Sequence, residues 1–234
     1  MNIEFAPQQR NSSEAEAPRR KINMFFVRHG EQVDYKDPNS SLSERGRQQV
    51  KDDFAVPFIS WLEDAGIENM VQVLASPRTR TLESGLIIKG QIEEAMEQGR
   101  ISNTTLLGFH ERPDLLQTQP IGKLISMGYD DPYSKWQELS EEFLALNGIS
   151  SPFEIALITE KTISSLRDLS MILGPGPQIN YVLVTHETTV GALAGRHFNL
   201  KGDSRKIEHA ESIAVFLGED VFYSFRGRLT GDIK

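Results

Sequence analysis

The stretch INMFFVRHGE, residues 22–31, decides the fold, because a short apolar run passes directly into arginine, histidine, glycine and glutamate. The apolar part has the length and composition of a buried β-strand. Three further runs end in the same way, each followed at once by charged or titratable residues: 71–75, 104–109 and 181–185. Helical patterns lie between the runs, and strands that alternate with helices predict a mainly parallel sheet with helices on both faces.

The remaining elements complete a layered arrangement. Apolar residues at helical spacing predict helices over 42–65, 79–97, 134–146 and 152–173. Pro57 is expected to divide the first of these into two helices. Two late runs, 212–217 and 221–225, predict an antiparallel hairpin at one edge, and the irregular stretch from about 98 to 151 predicts a lid-like insertion. We therefore expect an α/β fold: a three-layer α/β/α sandwich with a mainly parallel central sheet and an antiparallel edge.

Composition narrows the possible function classes. The 234 residues include 25 Lys and Arg against 33 Asp and Glu, a net charge of −8, and no cysteine. The length predicts a single domain over 21–234, and the polar residues 1–20 predict a disordered arm without the apolar core of a secretory signal. The acidity argues against binding to nucleic acid or an anionic membrane. No apolar run is long enough to span a bilayer, so the cytoplasm is the expected location.

The strand ends predict a site for phosphoryl chemistry. In a parallel sheet, the four polar clusters that follow the strands would meet at one edge, where ligands bind. Arginine matches phosphate oxygens well, and a histidine is the plausible nucleophile in a chain without cysteine. A neighbouring carboxylic acid could protonate the leaving oxygen. This set of residues follows none of the usual metal-ligand spacings.

Several of these segments resemble one enzyme family. Residues 27–31 (VRHGE) resemble the R-H-G-E signature of the histidine phosphatase superfamily, the phosphoglycerate-mutase-like enzymes, and 42–49 (LSERGRQQ) resemble its L-T-E-x-G-x-x-Q helix start. Residues 76–80 (SPRTR) resemble S-P-x-x-R, 110–112 (HER) the segment with the proton donor, and 184–186 (VTH) the strand end with the second histidine. The motifs occur in the family's order.

The resemblance implies a role for each matched residue. His29 would carry a phosphohistidine intermediate, while Arg28, Arg80 and His186 would hold the phosphoryl oxygens. Glu111 would act as the acid and then as the base for water. The expected activity is that of a phosphomonoesterase on a small phosphorylated substrate or a phosphoprotein, with no metal and no other cofactor.

Two departures from the family pattern leave alternatives open. Tyr35 stands where many members have an asparagine that contacts phosphate, and Glu187 stands where a small residue often follows the second histidine. Glu187 could replace Glu111 as the acid or repel highly charged substrates. The alternatives are a phosphoglycerate mutase, a non-catalytic phosphate-binding member of the fold and, least favoured, a metal-dependent hydrolase using His29, His110 and His186.

The sequence assigns other residues only in part. Arg78 is either a phosphate ligand or a solvated neighbour, and no role is predicted for His110, His197 or His209. The insertion is expected to determine the substrate, because loops form the outer walls of such sites. The oligomeric state stays open.

Overall fold

The computed structural model describes residues 20–35, 37, 39–115, 119–200, 206–218 and 220–231. The predicted disordered arm, except for Arg20, lies outside the described residues. No α-helix in the described ranges combines the length and the apolar composition needed to cross a membrane.

A mixed sheet forms the centre of the structure. The strands of the described residues are β1 (Ile22–Arg28), β2 (Asn69–Ala75), β3 (Thr104–Glu111), β4 (Gln178–Thr185), β5 (Ser212–Leu217), β6 (Val221–Phe225) and β7 (Arg228–Gly231). Their order is β3-β2-β4-β1-β5-β6-β7. The first four are parallel, while β5, β6 and β7 pair antiparallel. The predicted mixed sheet is therefore confirmed, with β7 as an additional edge strand.

Helices cover both faces of this sheet, as predicted. They are α1 (Glu44–Gln49), α2 (Val56–Ala65), α3 (Thr79–Glu97), α4 (Gln119–Ser126), α5 (Pro132–Glu138), α6 (Glu141–Leu146), α7 (Pro152–Ile172) and α8 (Glu187–Phe198). Apolar side chains from α2 and α3 pack on one face, in a core that includes Phe58 and Ile88. Those of α7 and α8 pack on the other face, in a core that includes Ile163 and Leu193.

The helical region before β2 differs in detail from its prediction. The division expected at Pro57 is present, but it takes the form of a π-helical segment, Val50–Ala55, between α1 and α2. Proline has no N–H to donate and its ring crowds the carbonyl four residues earlier, which here belongs to Asp53. A π turn widens the helix locally and relieves that crowding.

The insertion is more regular than predicted. Besides β3 and a 3₁₀ turn at Pro113–Leu115, it holds the short helices α4, α5 and α6. They share a small core around the fully buried Trp136, which also includes Ala192 of α8. The insertion therefore packs on the helix that follows β4.

A ladder of buried amides crosses the sheet near the amino ends of its parallel strands. Asn23 of β1 donates from Nδ2 to Oδ1 of Asn180 on β4 at 2.8 Å, and Asn180 donates to Oδ1 of Asn69 on β2 at 3.1 Å. Gln178 also donates to Oδ1 of Asn69 at 3.2 Å. Because an unpaired buried amide is costly, the ladder favours one alignment of these strands.

Candidate active site

The turn after β1 is held by the start of α1 through close backbone contact. A Cβ atom at Gly30 would lie 2.8 Å from the carbonyl carbon of Gly46, and one at Gly46 would lie 2.7 Å from the nitrogen of Glu31. The N–H of Glu31 donates to Gln49 Oε1 at 3.0 Å, and the N–H of Ser43 donates to the Glu31 carbonyl at 2.9 Å. The spacing L-S-E-R-G-x-x-Q thus describes a clamp on the turn, with two glycines where side chains cannot fit.

The hydrogen bonds of His29 define its proton arrangement. Arg80 Nε donates to His29 Nε2 at 2.9 Å, so Nε2 carries a lone pair. The other ring nitrogen, Nδ1, donates to the carbonyl of Gly30 at 2.7 Å. His29 is 5% exposed. The structure therefore contains a neutral, oriented imidazole whose unprotonated nitrogen faces a cationic side chain.

His186 lies beside His29 at the end of β4. The two rings meet edge to face with 5.4 Å between their centroids. Nε2 of His186 is 2.7 Å from the hydroxyl oxygen of Ser76, which follows β2. Its Nδ1 is buried and has no hydrogen-bond partner among the described residues. The adjacent strand ends thus bring the two predicted histidines together, and Ser76 is a contact that the sequence did not identify.

Burial and positive charge set the protonation of this cluster. Burial first, and then the neighbouring charges of His186, Arg80 and Arg28, lower the pKa of His29 well below its usual range. Burial and nearby guanidinium groups lower the pKa of His186 in the same way. Burial, with Arg78 and Arg28, lowers the pKa of Arg80 to about 10, so this group still carries its charge at neutral pH. Two neutral histidines thus lie among cationic side chains, a setting that favours an anion.

Arg28 is buried, and several protein groups contact it. Its Nη1 donates to the carbonyl of Ile207, and its Nη2 lies 3.2 Å from His209 Nε2. Nη2 also forms an ion pair with Glu187 Oε2 at 3.0 Å. Its Nε is buried without a hydrogen-bond partner in the described part of the chain. His209, for which the sequence predicted no role, therefore belongs to the site, and burial lowers its pKa to about 3.

The two candidate acids lie in different surroundings. Glu187, the first residue of α8, has a side chain 23% exposed, and burial raises its pKa despite the opposing effect of Arg28. Glu111 is exposed at the end of β3, and no hydrogen bond or ion pair joins it to His29 or His186 among the described residues. Since β3 is three strands from β1, the two backbones are about 14 Å apart at the usual strand spacing. Glu187 thus contacts Arg28 directly, whereas Glu111 is exposed at the end of a more distant strand.

A tyrosine of the insertion contacts the helix that begins at Glu187. The hydroxyl of Tyr133 on α5 donates to the backbone carbonyl of Glu187 at 3.5 Å and accepts from Gln137 Nε2 at 2.8 Å. A Cβ atom at Gly191 would overlap the Tyr133 hydroxyl and lie 3.1 Å from the ring carbon that bears it. A glycine on α8 therefore makes room for the aromatic side chain that attaches the insertion beside the site.

The other residues considered from the sequence are also placed. Tyr35 is 59% exposed, with its hydroxyl 3.3 Å from His209 Nε2, and Arg78 Nη1 donates to Asn39 Oδ1 at 3.2 Å. His197 pairs with Glu160 and stacks on a tyrosine in the core, so it lies apart from the site. Within the described residues, no group of three His, Asp or Glu side chains is arranged to hold a metal ion.

Comparison with solved structures identifies proteins with a similar fold. The chain is similar to a mycobacterial glucosyl-3-phosphoglycerate phosphatase complexed with VO3, at 16% identity and a TM-score of 0.50 over 91% of this chain and 98% of that one. It is also similar to a phosphoserine phosphatase mutant from Entamoeba histolytica in complex with phosphoserine, at 12% identity and a TM-score of 0.54 over 90% and 95% of the two chains. A mycobacterial hydrolase aligns at 16% identity and a TM-score of 0.53 over 92% and 98%.

Sequence comparisons identify no relative: no family model matches the chain, and no curated protein matches it significantly. The similarity to phosphatases is thus one of architecture, extending over nine-tenths of the chain. These matches show that the chain shares the α/β fold of the three proteins.

Proposed function

We propose that this protein is a phosphomonoesterase that transfers a phosphoryl group to His29 and then to water, without a metal ion. The observation that carries the proposal is the arrangement of His29, whose Nε2 lone pair is oriented by the hydrogen bond from Nδ1 to Gly30. The cationic groups expected to bind the phosphoryl oxygens, Arg28 and Arg80, are both buried nearby. The substrate class is a small phosphate monoester or a phosphorylated side chain.

The first step forms a bond between His29 Nε2 and phosphorus. The incoming phosphoryl group takes over the N–H of Arg80 that donates to His29 Nε2 in this structure. As the N–P bond forms, the bond from phosphorus to the ester oxygen breaks, and a carboxylic acid gives its proton to the leaving oxygen. His186 Nδ1 is buried and has no hydrogen-bond partner in the described residues, so it can donate a hydrogen bond to a phosphoryl oxygen.

The second step hydrolyses the intermediate. The carboxylate left by the first step accepts a proton from water, the water oxygen attacks phosphorus and the N–P bond breaks. Inorganic phosphate leaves, His29 returns to its neutral form and the carboxyl group is again protonated. Arg28 and Arg80 stabilise the charge on the transferring group in both steps.

The acid is assigned either to Glu111, as the family resemblance implies, or to Glu187. Burial raises the pKa of Glu187, which is the direction that a general acid requires, and the ion pair with Arg28 places its carboxyl group next to the residue that precedes His29. Glu111→Gln and Glu187→Gln distinguish them when an alkyl phosphate is compared with p-nitrophenyl phosphate. Loss of the acid slows the ester with the poorer leaving group far more, whereas a residue that only shapes the rim slows both equally.

The function itself is tested with p-nitrophenyl phosphate in the presence of EDTA. We expect the wild type to turn over this substrate and His29→Ala to lower the rate by about 10³-fold or more. The control His110→Ala, at an exposed position, should leave the rate unchanged. Rapid acid-free quenching with ³²P-labelled substrate should trap a phosphohistidine that His29→Ala does not form. Absence of turnover from pH 5 to 8, or full activity of His29→Ala, would refute the proposal. Vanadate binding without turnover would indicate a phosphate-binding protein instead.

A further inference from the structure

The carboxylate of Glu187 is bound to Arg28, the arginine that is expected to bind the phosphoryl group. Glu187 Oε2 lies 3.0 Å from Arg28 Nη2, at the distance of a charge-assisted hydrogen bond. Arg28 is 7% exposed and is the last residue of β1, directly before His29. Glu187 directly follows His186. The carboxylate in contact with Arg28 is therefore one that the protein itself supplies.

The contacts of Arg28 leave little room for a second anion. One Nη group is engaged by the Ile207 carbonyl and the other by Glu187 and His209, so only the buried Nε has no partner among the described residues. An oxyanion that reaches Arg28 must replace the Glu187 carboxylate or share the guanidinium with it. Two like charges on one buried guanidinium repel each other, and the repulsion is relieved when one of the two anions takes up a proton.

The other groups around Glu187 do not remove this conflict. Lys206, from the segment before β5, adds a positive charge, while Glu208 of that segment and Asp131 before α5 add negative charge. Tyr133 of α5 contacts the backbone carbonyl of Glu187 and carries no charge, since burial raises its pKa. His209, with a pKa of about 3, stays neutral at physiological pH. Arg28 is thus the cation in direct contact with Glu187.

We propose that an oxyanion and a proton bind to this site together: the oxyanion replaces the Glu187 carboxylate on Arg28, and Glu187 takes up the proton. This inference rests on the proposed function only in placing the phosphoryl group on Arg28. It deepens that function, because the protonation that frees Arg28 also gives Glu187 the form required of a general acid. The site captures a phosphate ester more tightly as the pH falls.

Sulfate is a suitable probe, because it is tetrahedral, is not hydrolysed and stays a dianion across the neutral range. Its binding is measured by titration calorimetry between about pH 6 and about pH 8, in buffers of different ionisation enthalpy that reveal proton uptake. For the wild type we expect affinity to rise up to about tenfold for each unit that the pH falls, with uptake approaching about one proton per sulfate.

Glu187→Gln preserves the shape of the side chain and removes its charge. We expect this variant to bind sulfate at least about tenfold more tightly than the wild type near pH 8, with little dependence on pH and no proton uptake. Glu63→Gln is the matched control: Glu63 pairs with Arg100 at 2.6 Å on a different part of the surface. This control should retain the proton uptake and the pH dependence of the wild type.

Three results would overturn the inference. Sulfate binding by the wild type without proton uptake would show that Glu187 stays ionised beside the anion. Uptake that persists in Glu187→Gln would place the proton on His29 or His186. Equal affinity of the two proteins near pH 8 would show that Glu187 does not compete for Arg28. None of these measurements needs turnover, so a protein that hydrolyses no ester can still show the linkage, and an active one can lack it.

Discussion

Replacing Gly46 by alanine would place a methyl group inside the clamp that holds the turn after β1. The new Cβ would lie 2.7 Å from the nitrogen of Glu31 and closer still to its carbonyl oxygen. Real Cβ atoms essentially never approach within 3.0 Å of such an atom, so the Glu31 carbonyl oxygen and Gly46 must separate by about 1 Å. Overpacking of this kind costs about 1–3 kcal/mol, and here both partners are backbone atoms that no rotamer change can move aside.

The shift would reach the candidate nucleophile, because Glu31 is two residues from His29. A displacement of about 1 Å in a positioning element can lower a rate by about 10²-fold. We therefore expect Gly46→Ala to lower kcat/KM for p-nitrophenyl phosphate by about 10²-fold and the unfolding free energy in urea by about 1–3 kcal/mol. Gly90→Ala in α3 is the control: nothing lies within 4 Å of its added Cβ. There the same substitution should stabilise the helix by about 0.5–1 kcal/mol without changing the rate.

A Gly46→Ala protein with the stability and kcat/KM of the wild type would refute this reasoning. If the variant does not fold, Gln49→Ala tests the same clamp more gently. It removes the acceptor for the Glu31 N–H, leaves no added atom in the contact and should cost about 1 kcal/mol.

Three further outcomes are expected. Gly191→Ala should displace Tyr133 and lower the unfolding free energy by about 1–3 kcal/mol. The control Gly195→Ala has no atom within 4 Å of its added Cβ and should raise the unfolding free energy slightly. Equal effects of the two substitutions would refute the packing argument. Since burial and the neighbouring cationic groups lower the pKa of His29, its imidazole should stay neutral as the pH falls through 6.5, and ¹⁵N NMR showing protonation near that pH would contradict this. Asn180→Ala should cost about 1–3 kcal/mol in urea denaturation because its amide partners on both neighbouring strands lose a hydrogen bond, and unchanged stability would count against the ladder.

The sequence predicted the centre of the sheet and the core of the site for the same reason. Short apolar runs that end in polar residues define both a buried strand and the edge at which it ends. Arg28, His29 and His186 each follow such a run, and the structure gathers them at the ends of β1 and β4. Arg80 is the second residue of α3, where its Nε contacts His29.

Other features had no local signal. His209 reaches Arg28 from an irregular segment before β5, and no pattern of neighbouring residues marks such a long-range approach. In the insertion, the single helix predicted over 134–146 is wrong: α5 and α6 are two short helices, and the side-chain oxygens of Asp131 and Ser140 cap their starts. The roles of Ser76 and the clamp on Glu31 depend on tertiary contact in the same way.

The amide ladder has a consequence for how errors in strand pairing are avoided. Asn23 lies directly opposite Asn180, and five residues later Arg28 lies opposite Thr185, so one alignment of β1 with β4 satisfies the amides and sets the histidines side by side. A shift of one residue would send every side chain of β1 to the other face of the sheet. The amide of Asn23 would then enter the opposite apolar core without a hydrogen-bond partner. The misaligned chain would be destabilised at this point, far from the histidines. The residues that select the correct alignment of β1 with β4 thus lie at one end of the two strands, and the two histidines lie at the other end.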